Sequence, residues 1–165
     1  MTPEIPMMEI SFAINGKPIS LSIEPRELLV DVLRQQLRLT GAKRSCDVGV
    51  CGACTVLLDG IPATSCSMLA ADVDGRSVTT IEGLSDGSSL HPIQAAFVEH
   101  GALQCGFCTP GMILATHALL SENPSPSEAE IRHHLSGNIC RCTGYVKIIE
   151  AVIDASRNAS PAGRP

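Results

Sequence analysis

The sequence predicts an α+β chain built from two unlike parts, and three observations carry that prediction. Residues up to about 82 alternate apolar and polar side chains with period two around the tight-turn pairs Asn15-Gly16 and Asp59-Gly60. From about residue 90 the spacing becomes helical, opened by Pro92, Thr109-Pro110 and Ser127-Glu-Ala-Glu130. Between the two parts, Glu82-Gly-Leu-Ser-Asp-Gly-Ser-Ser89 is rich in turn formers and reads as a linker. The expected units are therefore 1–82 and 83–157, with a disordered tail over 158–165.

In chain order, Ile10, Phe12 and Ile14 share one face of a first strand, and Ile19, Leu21 and Ile23 share one face of its return. Pro25 suits the first turn of a helix with the apolar stripe Leu28, Leu29, Val32, Leu33 and Leu37, stopped at Gly41. Thr55 to Leu58 and Ile61 to Cys66 form a second hairpin, and Ser77 to Ile81 a last strand. Two strands, a helix and then more strands resemble the β-grasp of plant-type ferredoxins. Helices follow from Pro92 to His100 and from Pro110 to Ser121. A third runs from the Ser127 capping box to Gly137, and Thr143 is placed to cap a fourth that carries Val146, Ile149, Val152 and Ile153. Four short helices imply a compact bundle.

The chemistry lies in the cysteines. Cys46, Cys51 and Cys54 are spaced C-x4-C-x2-C, and Cys66 follows after eleven residues. That uneven spacing matches four thiolates on a [2Fe–2S] cluster, whereas a structural zinc site usually takes paired C-x2-4-C knuckles. Gly49 and Gly52 let such a loop double back against an inorganic core, and successive backbone N–H groups can point at its sulfur atoms. The second set is Cys105-Gly-Phe-Cys108 with Cys140-Arg-Cys142, each pair preceding a predicted helix. Helix N-termini offer free N–H groups to an anionic group. Spacing alone prefers iron–sulfur here but leaves zinc open.

Composition excludes other classes. The 165 residues carry a net charge of −5 with no basic stripe, which argues against nucleic acid. No apolar run approaches the roughly eighteen residues of a membrane span. The first eight residues have neither a basic nor an apolar signal region, so a reducing cytoplasmic setting is expected, where eight cysteines bind metal rather than form disulfides. Apolar residues make up 44% but aromatics only 2%, so two small cores would have few bulky side chains to fill them. His133-His134 are about 100° apart on a helix and make no chelating pair. No activated nucleophile, paired-carboxylate site or phosphate loop is present, so no bond chemistry is expected in this chain.

Three stretches, CDVGVCGACTV (46–56), QCGFCTPG (104–111) and GNICRCTGY (137–145), together resemble the small iron–sulfur subunit of the molybdenum hydroxylases. That family includes xanthine dehydrogenase, aldehyde oxidoreductase and aerobic carbon monoxide dehydrogenase. The resemblance spans about Glu9 to Ala155 with no departure at any cysteine. It implies a β-grasp domain and a four-helix domain with one [2Fe–2S] cluster each, held by Cys46, Cys51, Cys54 and Cys66 and by Cys105, Cys108, Cys140 and Cys142. It also implies a large partner with a molybdopterin cofactor and a medium partner with FAD, assembled as a dimer of heterotrimers. Gln104 and Cys142 match residues that touch the partner's pterin. A free-standing ferredoxin and a zinc-stapled interaction module are the rival readings; a diffusing carrier has no need of the helical part and its pterin-contact motif.

Overall fold

The computed structural model describes residues 6–85 and 87–158. Strand β1 (Met8–Ile14) turns through Asn15 and Gly16, both at positive φ, into the antiparallel β2 (Lys17–Ile23), with Ile10 opposite Leu21 and Phe12 opposite Ile19. Two positive φ angles in a two-residue loop are what the right-handed strand twist demands. Asp59 and Gly60 repeat that turn between β3 (Thr55–Leu58) and β4 (Ile61–Thr64). With β5 (Ser77–Thr79) the strands form one mixed sheet in the order β2-β1-β5-β3-β4, in which β1 and β5 run parallel.

The first helix departs from its expected course. Helical geometry begins at Leu29, not Pro25: α1 (Leu29–Asp31) continues as a π-helical turn, Val32–Gln36, closed by Leu37 N–H on the Val32 carbonyl. Upstream, Glu27 folds back so that its carboxylate accepts from Glu24 N–H at 2.8 Å. Leu28 pairs with Leu69 as a short β-bridge, which holds Leu28 extended just before the helix. A long-range backbone pairing thus overrides the local helix signal. The helix also ends before Gly41, at Arg38 with φ 59°. Its buried Leu29, Val32 and Leu33 cover Ile10, Phe12, Ile14, Val56, Leu58 and Val78 on the sheet.

The second half holds α2 (Pro92–Glu99), α3 (Thr109–Glu122), α4 (Glu128–His134) and α5 (Val146–Asn158). Ser127 and Glu130 form the expected reciprocal cap of α4. His91, not expected as a cap, plays the same part for α2 with Gln94. Asn158 was expected in the tail but belongs to α5; the rest of that tail lies outside the described residues. Ile93, Phe97, Met112, Ile131, Ile148 and Val152 form a second core. Among the described residues no helix is long and apolar enough to cross a membrane.

The two halves meet across α3 and β3. All four residues of β3 are buried: Val56 and Leu58 face the first core, while Leu57 meets Leu114 and Ala118 of α3. A strand covered on both faces gives a continuous apolar run rather than an alternating one. At the start of α3, a methyl group on Gly111 would strike the Gly52 carbonyl oxygen. Alanine within a helix ordinarily stabilises by up to about 1 kcal/mol relative to glycine. Here the clash is with backbone beside two cysteines, so Gly111→Ala should cost about 1–3 kcal/mol net. Denaturant unfolding of the cluster-loaded chain checks this, and a raised midpoint would show that the halves do not meet at this point.

Candidate functional site

The first cysteine set lies on a loop between the helical turn and β3. Arg44 anchors its entry, bonding Asp31 of α1 at 2.6 Å and Asp47 at 3.0 Å. Asp47, Gly49 and Gly52 all sit at positive φ, so the chain reverses repeatedly and brings three sulfurs to one place. Cys66 arrives from a 3-10 turn after β4, where Ser65 Oγ donates to the Cys54 carbonyl at 2.7 Å. The expected strand to Cys66 stops at Thr64, and the turn that replaces its end carries the fourth sulfur inward.

All eight thiols are free, and they come as four pairs. Cys46 contacts Cys51, and Cys54 contacts Cys66. In the second set Cys142 and Cys105 sulfurs lie 3.5 Å apart, and Cys108 contacts Cys140. Each set has an outer pair and an inner one: Cys46 and Cys51 are half-buried over buried Cys54 and Cys66, while Cys105 and Cys142 are exposed over Cys108 and Cys140. Two thiolates at each of two irons is the ligand count of a [2Fe–2S] core, and the pairing fits it. Among the described residues no three His, Cys, Asp or Glu side chains are placed to hold a single metal ion.

The electrostatics suit an anionic group. Backbone N–H groups of Val48 and Cys51, with the Cys51 thiol, hold Cys46 down to about 6. Burial, aided by the Cys54 thiol, pushes Cys66 up to about 11. Burial and Cys140 push Cys108 up to about 12, and the Phe107 N–H lowers Cys105. Burial acts upward on Cys140 as well, but the hydroxyl and N–H of Thr143, the Cys142 N–H and the Cys108 thiol together outweigh it and its thiol is lowered. Metal ligation draws on the thiolate form, which these donors favour.

Several residues here were not anticipated. Thr143 was expected to cap the last helix, but α5 starts only at Val146, and the Thr143 hydroxyl instead lies 3.1 Å from Cys140 Sγ. Cys108 directly precedes α3, as expected of a thiol at a helix N-terminus. Buried Asn138 reaches across the halves, donating to the Gly52 carbonyl at 3.0 Å and to Thr55 Oγ1 at 3.3 Å. Beside it, Ile139 N–H donates to the Cys51 carbonyl at 2.9 Å. The GNICRCTGY stretch holds Asn138, Ile139 and Thr143, but periodicity gives no sign of a bond spanning more than eighty positions. Gln104 is exposed, next to Cys105 and hence near Cys142. His133 is exposed and His134 half-buried, neither in a metal-binding cluster.

Two [2Fe–2S] domain families match this geometry in sequence: the 2Fe-2S iron-sulfur cluster binding domain over residues 12–80 and the [2Fe-2S] binding domain over 80–153. The fold and site are thus those of a protein with two [2Fe–2S] clusters. The chain is 53% identical over 148 residues to the nicotine 6-hydroxylase small subunit of Paenarthrobacter nicotinovorans, covering 90% of this chain and 89% of that one. It superposes on a chain of quinoline 2-oxidoreductase from Pseudomonas putida 86 with a TM-score of 0.87 and 50% identity, over 93% of this chain and 98% of that one. The aldehyde oxidoreductase of Desulfovibrio desulfuricans gives a TM-score of 0.89 and 47% identity over 92% of this chain, which spans 17% of that longer one. The chain belongs to the small iron–sulfur subunits of the molybdenum hydroxylase family, the electron-transfer members of multi-subunit oxidoreductases. Two clusters per chain mean about four irons and four acid-labile sulfides. Metal and sulfide analysis of the purified complex should return those values; two irons, or stoichiometric zinc, would contradict them.

Proposed function

We propose that this chain relays electrons one at a time from a large molybdopterin-bearing catalytic partner to a medium FAD-bearing partner, through clusters held by Cys105, Cys108, Cys140 and Cys142 and then by Cys46, Cys51, Cys54 and Cys66. The reaction at the partner would oxidise a heterocycle, an aldehyde or a related small molecule, with water as the oxygen source. The observation that carries this reading is the Ile139 N–H to Cys51 carbonyl bond at 2.9 Å. It joins the residue before Cys140 directly to Cys51, so one hydrogen bond and a short covalent path link the two sulfur sites. Each [2Fe–2S] cluster, when bound, takes up and returns a single electron.

The resemblance at Gln104 and Cys142, together with exposure, supports the assigned ends of the path. Exposed Cys105 and Cys142, beside exposed Gln104, form the face offered to the pterin of the catalytic partner. Half-buried Cys46 and Cys51, flanked by exposed Val48 and Val50, form the face offered to the flavin partner. Apolar side chains around a redox centre suit a protein contact that excludes water. The arrangement supports a β-grasp unit over 1–82 and a four-helix bundle over 83–157, with α3 seated against β3 between them. A cytoplasmic dimer of heterotrimers completes the proposal.

Cys51→Ser in the assembled complex tests the order of the path, once both partners and the other cluster are shown to be retained. With substrate and no oxygen, the cluster of the helical half should still be reduced, while flavin reduction slows greatly. Normal flavin reduction with that cluster left oxidised would reverse the assigned order.

A further inference from the structure

The loop from Cys140 to Tyr145 closes on itself through hydrogen bonds that the relay role does not by itself require. Thr143 Oγ1 lies 3.1 Å from Cys140 Sγ, and Thr143 N lies 3.4 Å from the same sulfur. Tyr145 N–H donates to Thr143 Oγ1 at 3.3 Å, and Cys140 N–H donates to the Tyr145 phenol oxygen at 2.8 Å. Tyr145 is held at φ 69°, a left-handed conformation that a bulky residue keeps only when its surroundings impose it. The effect is directional. Tyr145 N–H occupies a lone pair of the threonine oxygen, which leaves the hydroxyl hydrogen for the sulfur. A thiolate ligand has no proton to give, so Thr143 is then the donor.

This donor differs in kind from those at the first set, where the N–H groups of Val48, Cys51 and Val50 serve Cys46 and that of Gly49 serves Cys66. We propose that Thr143 is a positioning residue that acts through Cys140 to raise the reduction potential of the second cluster. The inference rests on Cys140 being a ligand of that cluster. On reduction one electron, supplied by the catalytic partner, is added to the site. No bond breaks, and the hydroxyl keeps its proton. A donor on a ligand sulfur favours the more negative, reduced form, and hydrogen bonds to cluster sulfurs are a main determinant of potential. Cys140 is 8% exposed, so water competes little for its sulfur.

Thr143→Val, Thr143→Ala and Thr143→Ser in the assembled complex test the proposal, with iron and sulfide measured first and both clusters then titrated by potential-controlled EPR. Valine and alanine should shift the second cluster's reduction equilibrium about tenfold toward the oxidised form, roughly 59 mV for one electron. The first cluster should stay where it is, and serine should restore the wild-type potential. A fully loaded valine variant with an unmoved second cluster would overturn the proposal. So would both clusters moving together, or serine behaving like valine. Loss of the second cluster from both hydroxyl-free variants would make Thr143 an assembly residue and overturn its tuning role. Failure of the cluster assignment itself shows separately, as wild-type iron near half the expected content.

Discussion

At the join between the halves, Asn138 gives its side-chain N–H to the Gly52 carbonyl at 3.0 Å, and the next residue gives its backbone N–H to the Cys51 carbonyl at 2.9 Å. Asn138 is 7% exposed, and a polar group left unpaired at such a depth costs about 1–3 kcal/mol. Neither loop can therefore move away without stranding groups of the other. Gly52 shows how tightly the two are fitted, because a Cβ there would come within 2.5 Å of the Gly137 carbonyl and of Asn138 itself. The bonded residues neighbour or include Cys51 and Cys140, so the join fixes one sulfur site relative to the other. Electron transfer falls steeply with distance, and a rigid join holds that distance constant.

Around this join the chain handles charge in the same way at both sites. Thiols that bind iron must become thiolates, and the protein meets that demand with N–H groups aimed at sulfur rather than with basic side chains. The positive φ angles at Asp47, Gly49 and Gly52 turn those amides inward at the first site. The second site adds a threonine hydroxyl to its amides. Arg44 is spent on Asp31 and Asp47, so it braces the loop instead of acting as a counter-ion for the sulfurs.

Much of the fold was legible because its signals are local. Asn15-Gly16 and Asp59-Gly60 specify their turns through positive φ, and Ser127 with Glu130 specifies a helix start through two reciprocal bonds. Pro25 misled for a physical reason: its local preference for a helix start competes with the Leu28–Leu69 bridge, whose partners are far apart in sequence. Thr143 misled in a related way. A threonine before a helix is usually a cap, and only the folded loop shows that its hydroxyl serves a sulfur three residues back.

The cysteine positions, the turn residues and the alternation of the strands were determined by the sequence alone, since each depends on neighbours within about a dozen residues. The pairing of eight sulfurs into four twos, the burial of both faces of β3 and the bond from Ile139 to Cys51 were decided only by the tertiary structure. These depend on which surfaces meet, and surfaces meet where burying apolar area outweighs the entropy of ordering the chain. Val56, Leu57 and Leu58 make a continuous apolar run, but nothing local says that Leu57 will face Leu114 and Ala118 of α3.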